Sequence, residues 1–202
     1  MIRNIVFDMG NVLRDFNPML CIRAYVNDEK DAEWIAGEMF GEKEWVALDQ
    51  GTITYEGALE QWKKRLPERL HKVVEEISNH WHEYMPEDPR MLQLVKELKA
   101  KGYGLYLLSN ASVRFSVYEK EFEALQYFDG KVVSAFHQVL KPDEKIYRIL
   151  FDTYHLIPEE CFFVDDNPAN VEGGRKLGMS GHVFTGDLTA LKEDFRCHGI
   201  SL

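Results

Sequence analysis

Short apolar runs that stop abruptly at polar residues constrain the fold of this chain more than any other feature. The first run, Ile5 to Phe7, is followed at once by the carboxylate of Asp8. Buried strands of parallel sheets are commonly short continuous apolar runs, and ligands of such sheets gather at the carboxyl ends of the strands. Asp8 is therefore predicted to stand at a ligand-binding edge. The alternative is that it only forms a turn or caps a helix.

Two later strands are predicted to end in the same way, one at Ser109 and Asn110 and the other at Asp165 and Asp166. Because the carboxyl ends of parallel strands share an edge, three carboxylates would crowd together there, and they cannot all stay ionised without a cation between them. Oxygen ligands without clustered His or Cys favour a hard ion, Mg²⁺. For one of the paired aspartates, capping the next helix is the alternative.

The stretch between the first two strands is rich in Glu, Lys, Trp, Met and Leu and has apolar residues at helical spacing. Its pattern predicts helices over residues 18–26, 29–40, 43–49, 54–65 and 68–83. After it, helices and short strands alternate, and one of these helices is predicted over residues 112–125. Such alternation is typical of a parallel sheet with helices on both faces.

We therefore predict an α/β fold with a doubly wound parallel (Rossmann-like) core of residues 1–16 and 86–202. Residues 17–85 are predicted to form a helical cap inserted after the first strand. Because the insert leaves after the first strand and returns before the second, it should lie over the carboxyl edge of the sheet and cover a crevice.

Composition limits the kinds of partner. A chain of 202 residues with 45% hydrophobic residues can bury a substantial core. The net charge of −10 argues against nucleic acid or an anionic membrane as the main partner. The three cysteines are unclustered, which indicates neither a disulfide framework nor a zinc site. Since no apolar stretch approaches the roughly 20 residues that span a bilayer, we expect a cytoplasmic protein. We also expect it to be a monomer or a homodimer.

Four stretches of the chain, in order, resemble the four motifs of the haloacid dehalogenase-like hydrolase superfamily. They are Asp-Met-Gly-Asn-Val at 8–12, Leu-Leu-Ser-Asn at 107–110, Lys-Pro at 141–142 and Phe-Val-Asp-Asp-Asn-Pro-Ala-Asn at 163–170. Each motif alone is weakly specific, but four in this order at suitable spacing are a strong signal. Within the superfamily the chain resembles the bacterial sugar-phosphate phosphatases that begin Phe-Asp-Leu-Gly-Asn-Val and the phosphatase-like domain of soluble epoxide hydrolases.

The resemblance implies Mg²⁺-dependent hydrolysis of a phosphate monoester of a small metabolite. Asp8 would be the nucleophile that accepts the phosphoryl group as an aspartyl phosphate, which splits one difficult step into two. Asp166 would ligate the metal directly, together with Asp8 and the backbone carbonyl of Gly10, and Asp165 would support it.

The remaining motif residues would hold the phosphate. The resemblance assigns the hydroxyl of Ser109 and the amide of Asn110 to phosphate oxygens, and Lys141 to the charge that steadies them. Asn170 stands at the place of a further acidic residue, and Asn11 is a second supporting residue. When Lys141 is considered without the other motifs, the alternative interpretation is an ordinary exposed lysine.

One position departs from the family pattern. Most phosphatases of the superfamily have an Asp two positions after the nucleophile as general acid and base, and here that position is Gly10. A general acid contributes about 10²–10⁴-fold to the rate. The favoured interpretation is a phosphatase whose leaving group needs little protonation, such as a sugar 1-phosphate, or one that recruits another acid, Asp15 or a cap residue.

Two other interpretations stay open. A 2-haloacid dehalogenase needs no proton for halide departure, but dehalogenases of the family work without a metal, and the paired aspartates would then be awkward. The second interpretation is a catalytically weak member of the family that acts as a metabolite sensor or a partner-binding module.

The insert holds the candidates for substrate choice: Trp34, Trp45, Trp62, Trp81, Lys63, Lys64 and Arg65. Large aromatic residues at helical spacing are more often core than pocket, and a run of basic residues is usually a solvated face. Residues 45–49 are predicted to include a loop that faces the substrate.

Overall fold

The computed structural model describes the backbone of residues 1–202 and every side chain except that of Glu42. Across these residues, strands form one parallel sheet: β1 (Asn4–Phe7), β2 (Gly104–Ser109), β3 (Gly130–Val133), β4 (Cys161–Asp165) and β5 (Ser180–Val183). Their order across the sheet is β3-β2-β1-β4-β5. The predicted doubly wound α/β fold is confirmed. The strand order reverses at β1, and such switch points are where open α/β sheets bind ligands.

The central strand explains why its sequence is continuously apolar. Ile5, Val6 and Phe7 are fully buried. Successive side chains of a strand point to opposite faces, so Ile5 and Phe7 join one hydrophobic cluster and Val6 joins the other. Helices cover both faces of the sheet, and fully burying each such side chain contributes about 1.5–3 kcal/mol.

The segment between β1 and β2 is helical: α1 (Pro18–Tyr25), α2 (Glu29–Met39), α3 (Glu42–Gln50), α4 (Tyr55–Arg65) and α5 (His71–His80). Short 3₁₀ turns at Glu68–Leu70 and Trp81–Tyr84 flank α5. These bounds agree with the five predicted helices within a few residues. We call residues 18–84 the helical insert, and we keep residues 17–85 as our proposal for a cap domain.

The remaining helices are α6 (Pro89–Ala100), α7 (Phe115–Tyr118), α8 (Glu144–Tyr154), α9 (Pro168–Arg175) and α10 (Leu188–Cys197). No helix among the described residues combines the length and the apolar character needed to cross a membrane.

The continuous helix predicted over residues 112–125 is wrong. Only α7 is α-helical there, and 3₁₀ turns at Glu119–Glu121 and Glu123–Tyr127 follow it. Phe122 lies between these turns in an extended conformation, with φ −97° and ψ 103°. Because the chain bends at this residue, Phe115, Tyr118 and Phe122 all become buried. Burial of three aromatic rings outweighs the modest helix propensity of the segment.

Hydrogen bonds hold the helical insert over the carboxyl edge of the sheet. The hydroxyl of Tyr55 on α4 is hydrogen-bonded to the hydroxyl of Ser112, which follows β2, at 2.8 Å. The Arg114 guanidinium lies 3.9 Å from the centre of the Tyr55 ring. The Ser134 hydroxyl, after β3, donates to the backbone carbonyl of Asp49 on α3. The loops after β2 and β3 therefore position α3 and α4.

Candidate active site

Asp8 follows the last residue of β1 and is only 8% exposed. Its backbone N–H donates to the carbonyl of Val164 at 2.9 Å, which continues the pairing of β1 with β4 by one residue. Burial raises the pKa of Asp8 to about 6; the ammonium of Lys141 opposes this rise and the carboxylate of Asp165 adds to it. The carboxylate is thus held at the sheet edge, in a desolvated position.

Lys141 is buried and uses its ammonium group fully. Its Nζ donates to Oδ1 of Asp8 at 2.7 Å, to Oδ2 of Asp165 at 2.6 Å and to the carbonyl of Leu108 at 2.8 Å. Burial alone would lower the pKa of Lys141, but Asp8 and Asp165 outweigh this effect and raise it. The alternative of an ordinary exposed lysine is wrong, because this ammonium neutralises two buried carboxylates.

The carboxylates of β1 and β4 form one group. One carboxylate oxygen from each of Asp8, Asp165 and Asp166 lies within 4.8 Å of the others. Asp165 is fully buried, whereas Asp166 lines the cavity above it. The Asn11 amide donates to Oδ2 of Asp166 at 2.9 Å. The three predicted strand-end carboxylates therefore converge.

Neither paired aspartate caps α9. The N-cap is Asn167, whose Oδ1 accepts from the backbone N–H of Ala169 at 2.9 Å. Asp165 instead accepts from the backbone N–H of Asn167 at 2.8 Å and from the amide of Asn170 at 3.0 Å. The alternative that one of these aspartates caps the helix is wrong, because Asn167 already accepts the hydrogen bond from the free backbone N–H at the start of α9.

The donor set of this group suits a hard cation. All three charged donors are carboxylate oxygens, and Oδ1 of Asn170 is buried without a partner among the described residues. Gly10 lines the same cavity beside Asp8. Oxygen-only donors of this kind are those that Mg²⁺ prefers. The residues present fit such an ion.

The two residues at the end of β2 are placed differently from each other. Oδ1 of Asn110 accepts from the backbone N–H of Lys141 at 2.8 Å, and its amide donates to the Lys141 carbonyl at 3.1 Å. Asn110 lines the cavity, but both ends of its amide hold the backbone of Lys141 in place. Ser109 is buried and does not line the cavity. Phosphate binding by these two side chains stays a prediction.

A cavity of about 360 Å³ lies above Asp8, between the sheet edge and the helical insert. Part of its wall is aromatic: the ring centres of Trp45 and Trp81 are 5.0 Å apart, and those of Phe16 and Trp45 are 5.6 Å apart. Asp49 and Tyr118 also line it. The site is thus charged at its floor and largely apolar on its upper wall.

Two of the four tryptophans predicted to govern substrate choice line the cavity, and two do not. Trp45 and Trp81 line it. Trp62 is fully buried in the core, and Trp34 is 45% exposed at the surface.

The basic residues of α4 do not line the cavity. Lys63 pairs with Glu75 at 2.8 Å, and Arg65 pairs with Glu44 at 2.6 Å. Lys64 is exposed. These three basic residues belong to the outer surface of the helical insert.

The predicted loop at residues 45–49 is helical and belongs to α3. Its side chains Trp45 and Asp49 nevertheless line the cavity, because one face of the helix is turned towards Asp8. Asp15, named as a possible acid, is exposed and does not line the cavity.

Sequence reasoning missed Phe16, Ser112 and Tyr118 as cavity residues. Tyr118 is 1% exposed, and its hydroxyl has no partner among the described residues. None of the three belongs to a motif, and Tyr118 lies within the segment predicted as an uninterrupted helix. Their placement depends on how the chain bends after β2.

Comparisons with known proteins show which family the chain resembles. A family model described as haloacid dehalogenase-like hydrolase matches residues 2–178. A sesquiterpene phosphatase of Aspergillus oryzae is 27% identical over 193 residues, which cover 93% of this chain and 92% of that protein. A D-ribitol-5-phosphate phosphatase of Bacteroides thetaiotaomicron is 28% identical over 192 residues, covering 89% and 90%.

A solved structure is also similar. It is a haloacid dehalogenase family enzyme of Bacteroides thetaiotaomicron in complex with magnesium and inorganic phosphate. It aligns with a TM-score of 0.73 at 19% identity, over 95% of this chain and 99% of that one. At this identity the likeness shows a shared fold.

Proposed function

Because this chain belongs to the haloacid dehalogenase-like hydrolase family, we propose that it hydrolyses phosphate monoesters of small metabolites by transferring the phosphoryl group to Asp8. The observation that carries this proposal is the buried carboxylate of Asp8 at the cavity floor, bonded to Lys141 and surrounded by Asp165 and Asp166. The relatives of similar length are named phosphatases, which supports the same reaction class.

The reaction proceeds in two displacements. Lys141 donates to Oδ1 of Asp8, so Oδ2 is left to attack the phosphorus atom. The bond from phosphorus to the ester oxygen breaks, this oxygen takes up a proton so that the alcohol leaves, and an aspartyl phosphate remains on Asp8. Water then attacks this phosphorus and gives up one proton, which releases hydrogen phosphate and regenerates the Asp8 carboxylate. Catalysis of phosphoryl transfer rests mostly on positioning and charge neutralisation.

Mg²⁺ would be held by Asp8, Asp166 and the backbone carbonyl of Gly10, with Asp165 in support, and would supply positive charge against the phosphate oxygens. Lys141 neutralises the carboxylates on the other side of the nucleophile. Asn110 keeps Lys141 in place through its two hydrogen bonds to the Lys141 backbone.

The substrate is a small ester. A cavity of about 360 Å³ has room for a phosphate and an alcohol of modest size. Trp45, Trp81 and Phe16 offer flat apolar faces on which the carbon side of a sugar or another compact alcohol can pack. One relative is a phosphatase of a polar polyol phosphate and the other is a sesquiterpene phosphatase, so the alcohol must be identified by assay.

The test is release of phosphate from a panel of sugar and small-metabolite phosphates, with Mg²⁺ and with chelator. We expect release that chelator abolishes. Asp8→Asn should abolish turnover with the fold intact by circular dichroism, whereas Asp15→Asn, at an exposed position, should keep full activity. Turnover by Asp8→Asn would refute the covalent route. Halide release from 2-chloropropionate that ignores chelator would replace the phosphatase with a dehalogenase.

A further inference from the structure

We propose that Asp49, on the helical insert, is the general acid and base of this enzyme and performs the proton transfer that Gly10 cannot. This inference rests on the proposed phosphatase function. It assigns the role to a side chain that lies on a different element from all four motifs.

The position of Asp49 is determined by contact with the core. The hydroxyl of Ser134 donates to the backbone carbonyl of Asp49. Two residues later, α3 ends at Gly51 with φ 72°, and a Cβ built on Gly51 would lie 2.3 Å from the carbonyl oxygen of Ala135. The end of α3 therefore rests directly on the turn after β3. Asp49 is held against the core by this contact.

Asp49 is set apart from the carboxylates at the floor of the cavity. The carboxylates that line the cavity, among the described side chains, are Asp8, Asp49 and Asp166. Asp8 and Asp166 belong to the group that suits the cation, and Asp49 does not. A phosphate above Asp8 would have its ester oxygen directed away from the nucleophile, since phosphoryl transfer is roughly in line. In this proposal the ester oxygen points to the cavity wall formed by the insert, which includes Asp49.

The surroundings favour the protonated form of Asp49. The titratable groups facing it are Asp8, Lys141, Tyr55 and Tyr118. Burial raises its pKa well above the ordinary value and the charge of Asp8 adds to the rise, while Lys141 and the backbone N–H of Ser112 oppose it. General acids work best when their pKa lies near the operating pH. Asp49 thus keeps a proton to donate at a pH where a solvated Asp has lost it.

The proton transfers balance in both displacements. In the first, Oδ2 of Asp8 bonds to phosphorus, the ester bond breaks and the Asp49 carboxyl gives its proton to the departing oxygen, so a neutral alcohol leaves. In the second, the Asp49 carboxylate takes a proton from the attacking water while the bond between Asp8 and phosphorus breaks. Hydrogen phosphate is released, and Asp49 is protonated again.

The experiment compares two aryl phosphates that differ in their need for a proton. Phenolate is a poor leaving group without protonation, whereas 4-nitrophenolate leaves as the anion. For Asp49→Asn we expect kcat/KM for phenyl phosphate to fall about 10²–10⁴-fold, and that for 4-nitrophenyl phosphate to fall by less than about tenfold. Because the base of the second displacement is also lost, a burst of 4-nitrophenol should precede slow turnover.

Two further readouts separate proton transfer from a structural role. The wild-type profile of kcat/KM for phenyl phosphate against pH should fall on the basic side, and Asp49→Asn should lose this limb. Gly10→Asp in the Asp49→Asn background should restore phenyl phosphate hydrolysis, because a Cβ at Gly10 meets only the Cβ of Phe16 at an ordinary 3.9 Å. Gly10→Asn, which has no proton to give, is the matched control and should not restore it.

Equal losses with both esters, or no loss with either, would overturn the role of Asp49. If Asp8→Asn is inactive and Asp49→Asn behaves as wild type, only this inference fails. If the wild-type enzyme cleaves neither ester nor any member of the metabolite panel, the proposed function fails, and the inference fails with it.

Discussion

At the scale of single residues, Lys141 determines the charge balance of the site. Its ammonium lies within 2.7 Å of Asp8 and 2.6 Å of Asp165, and both carboxylates are nearly or fully buried. Buried charges are costly unless they are paired and hydrogen-bonded. Removing the Lys141 ammonium would leave the carboxylates of Asp8 and Asp165 close together without a positive charge between them.

We therefore predict that Lys141→Ala lowers the free energy of unfolding by about 3–5 kcal/mol in the absence of Mg²⁺, because a buried ion pair is broken. It should also abolish phosphate release. Urea denaturation with chelator present measures the first effect. Lys64→Ala, at an exposed position of the insert, is the control and should change neither quantity. Wild-type stability in Lys141→Ala would mean that the two carboxylates are protonated or solvated without it.

At the scale of elements, the C-terminal end of α3 places one carboxylate of the insert, Asp49, in the wall of the cavity above Asp8. The helix ends where Gly51 adopts φ 72° with its Cα against the carbonyl of Ala135. Gln50 adds a hydrogen bond from its amide to the Gln138 carbonyl at 3.4 Å. Any side chain at position 51 must displace this end of the helix and, with it, Asp49.

Gly51→Ala should therefore lower kcat/KM for phenyl phosphate while 4-nitrophenyl phosphate is affected much less. It should also cost about 1–3 kcal/mol in stability from the left-handed backbone alone. Gly102→Ala is a matched control, because Gly102 has φ 86° but nothing within 4 Å of a built Cβ. If the two variants lose the same activity, backbone strain alone would explain the effect, and the docking of α3 would not matter.

At the scale of the whole molecule, two carboxylates of the cavity lower the stability of the fold once they are ionised. The pKa values of Asp8 and Asp49 are both raised, mainly by burial, so the folded protein holds protons that the unfolded chain has released. Stability falls with rising pH wherever the folded state binds more protons. For Asp8 this window runs from its ordinary value of 3.8 to about 6.

Asp49→Asn removes one of these two carboxyl groups and should therefore weaken the dependence of the unfolding free energy on pH. In the metal-free protein, we expect the variant to gain stability over wild type at pH 8 and to gain less at pH 4. Urea denaturation across this range measures the difference, and Asp15→Asn should follow the wild-type curve. A variant less stable than wild type at pH 8 would show that the charged Asp49 is favourably paired in the folded state.

Much of the site could be predicted from the sequence. Asp8 and Asp166 lie directly after strands and Asp165 ends one, so identifying the strands was enough to bring these three carboxylates to one edge. Lys141 follows no strand, and its place in the site came only from the resemblance of its Lys-Pro motif. Their convergence follows from parallel topology, because all carboxyl ends of the strands share one side. The exchange of hydrogen bonds between Asn110 and Lys141 could not be foreseen, since it joins side chain to backbone across 31 positions.

The amino-acid sequence was sufficient to predict the doubly wound sheet, most of the helices and the three carboxylates at the edge of the sheet. These depend on local patterns of apolar and polar residues that repeat at the periods of strands and helices. The sequence offered candidates in the insert, but which of them line the cavity depends on tertiary packing. Asp49 and its partner Ser134 are 85 positions apart. Their contact is set by the packing of aromatic rings and the fit of Gly51 against Ala135, and neither leaves a local pattern in the sequence.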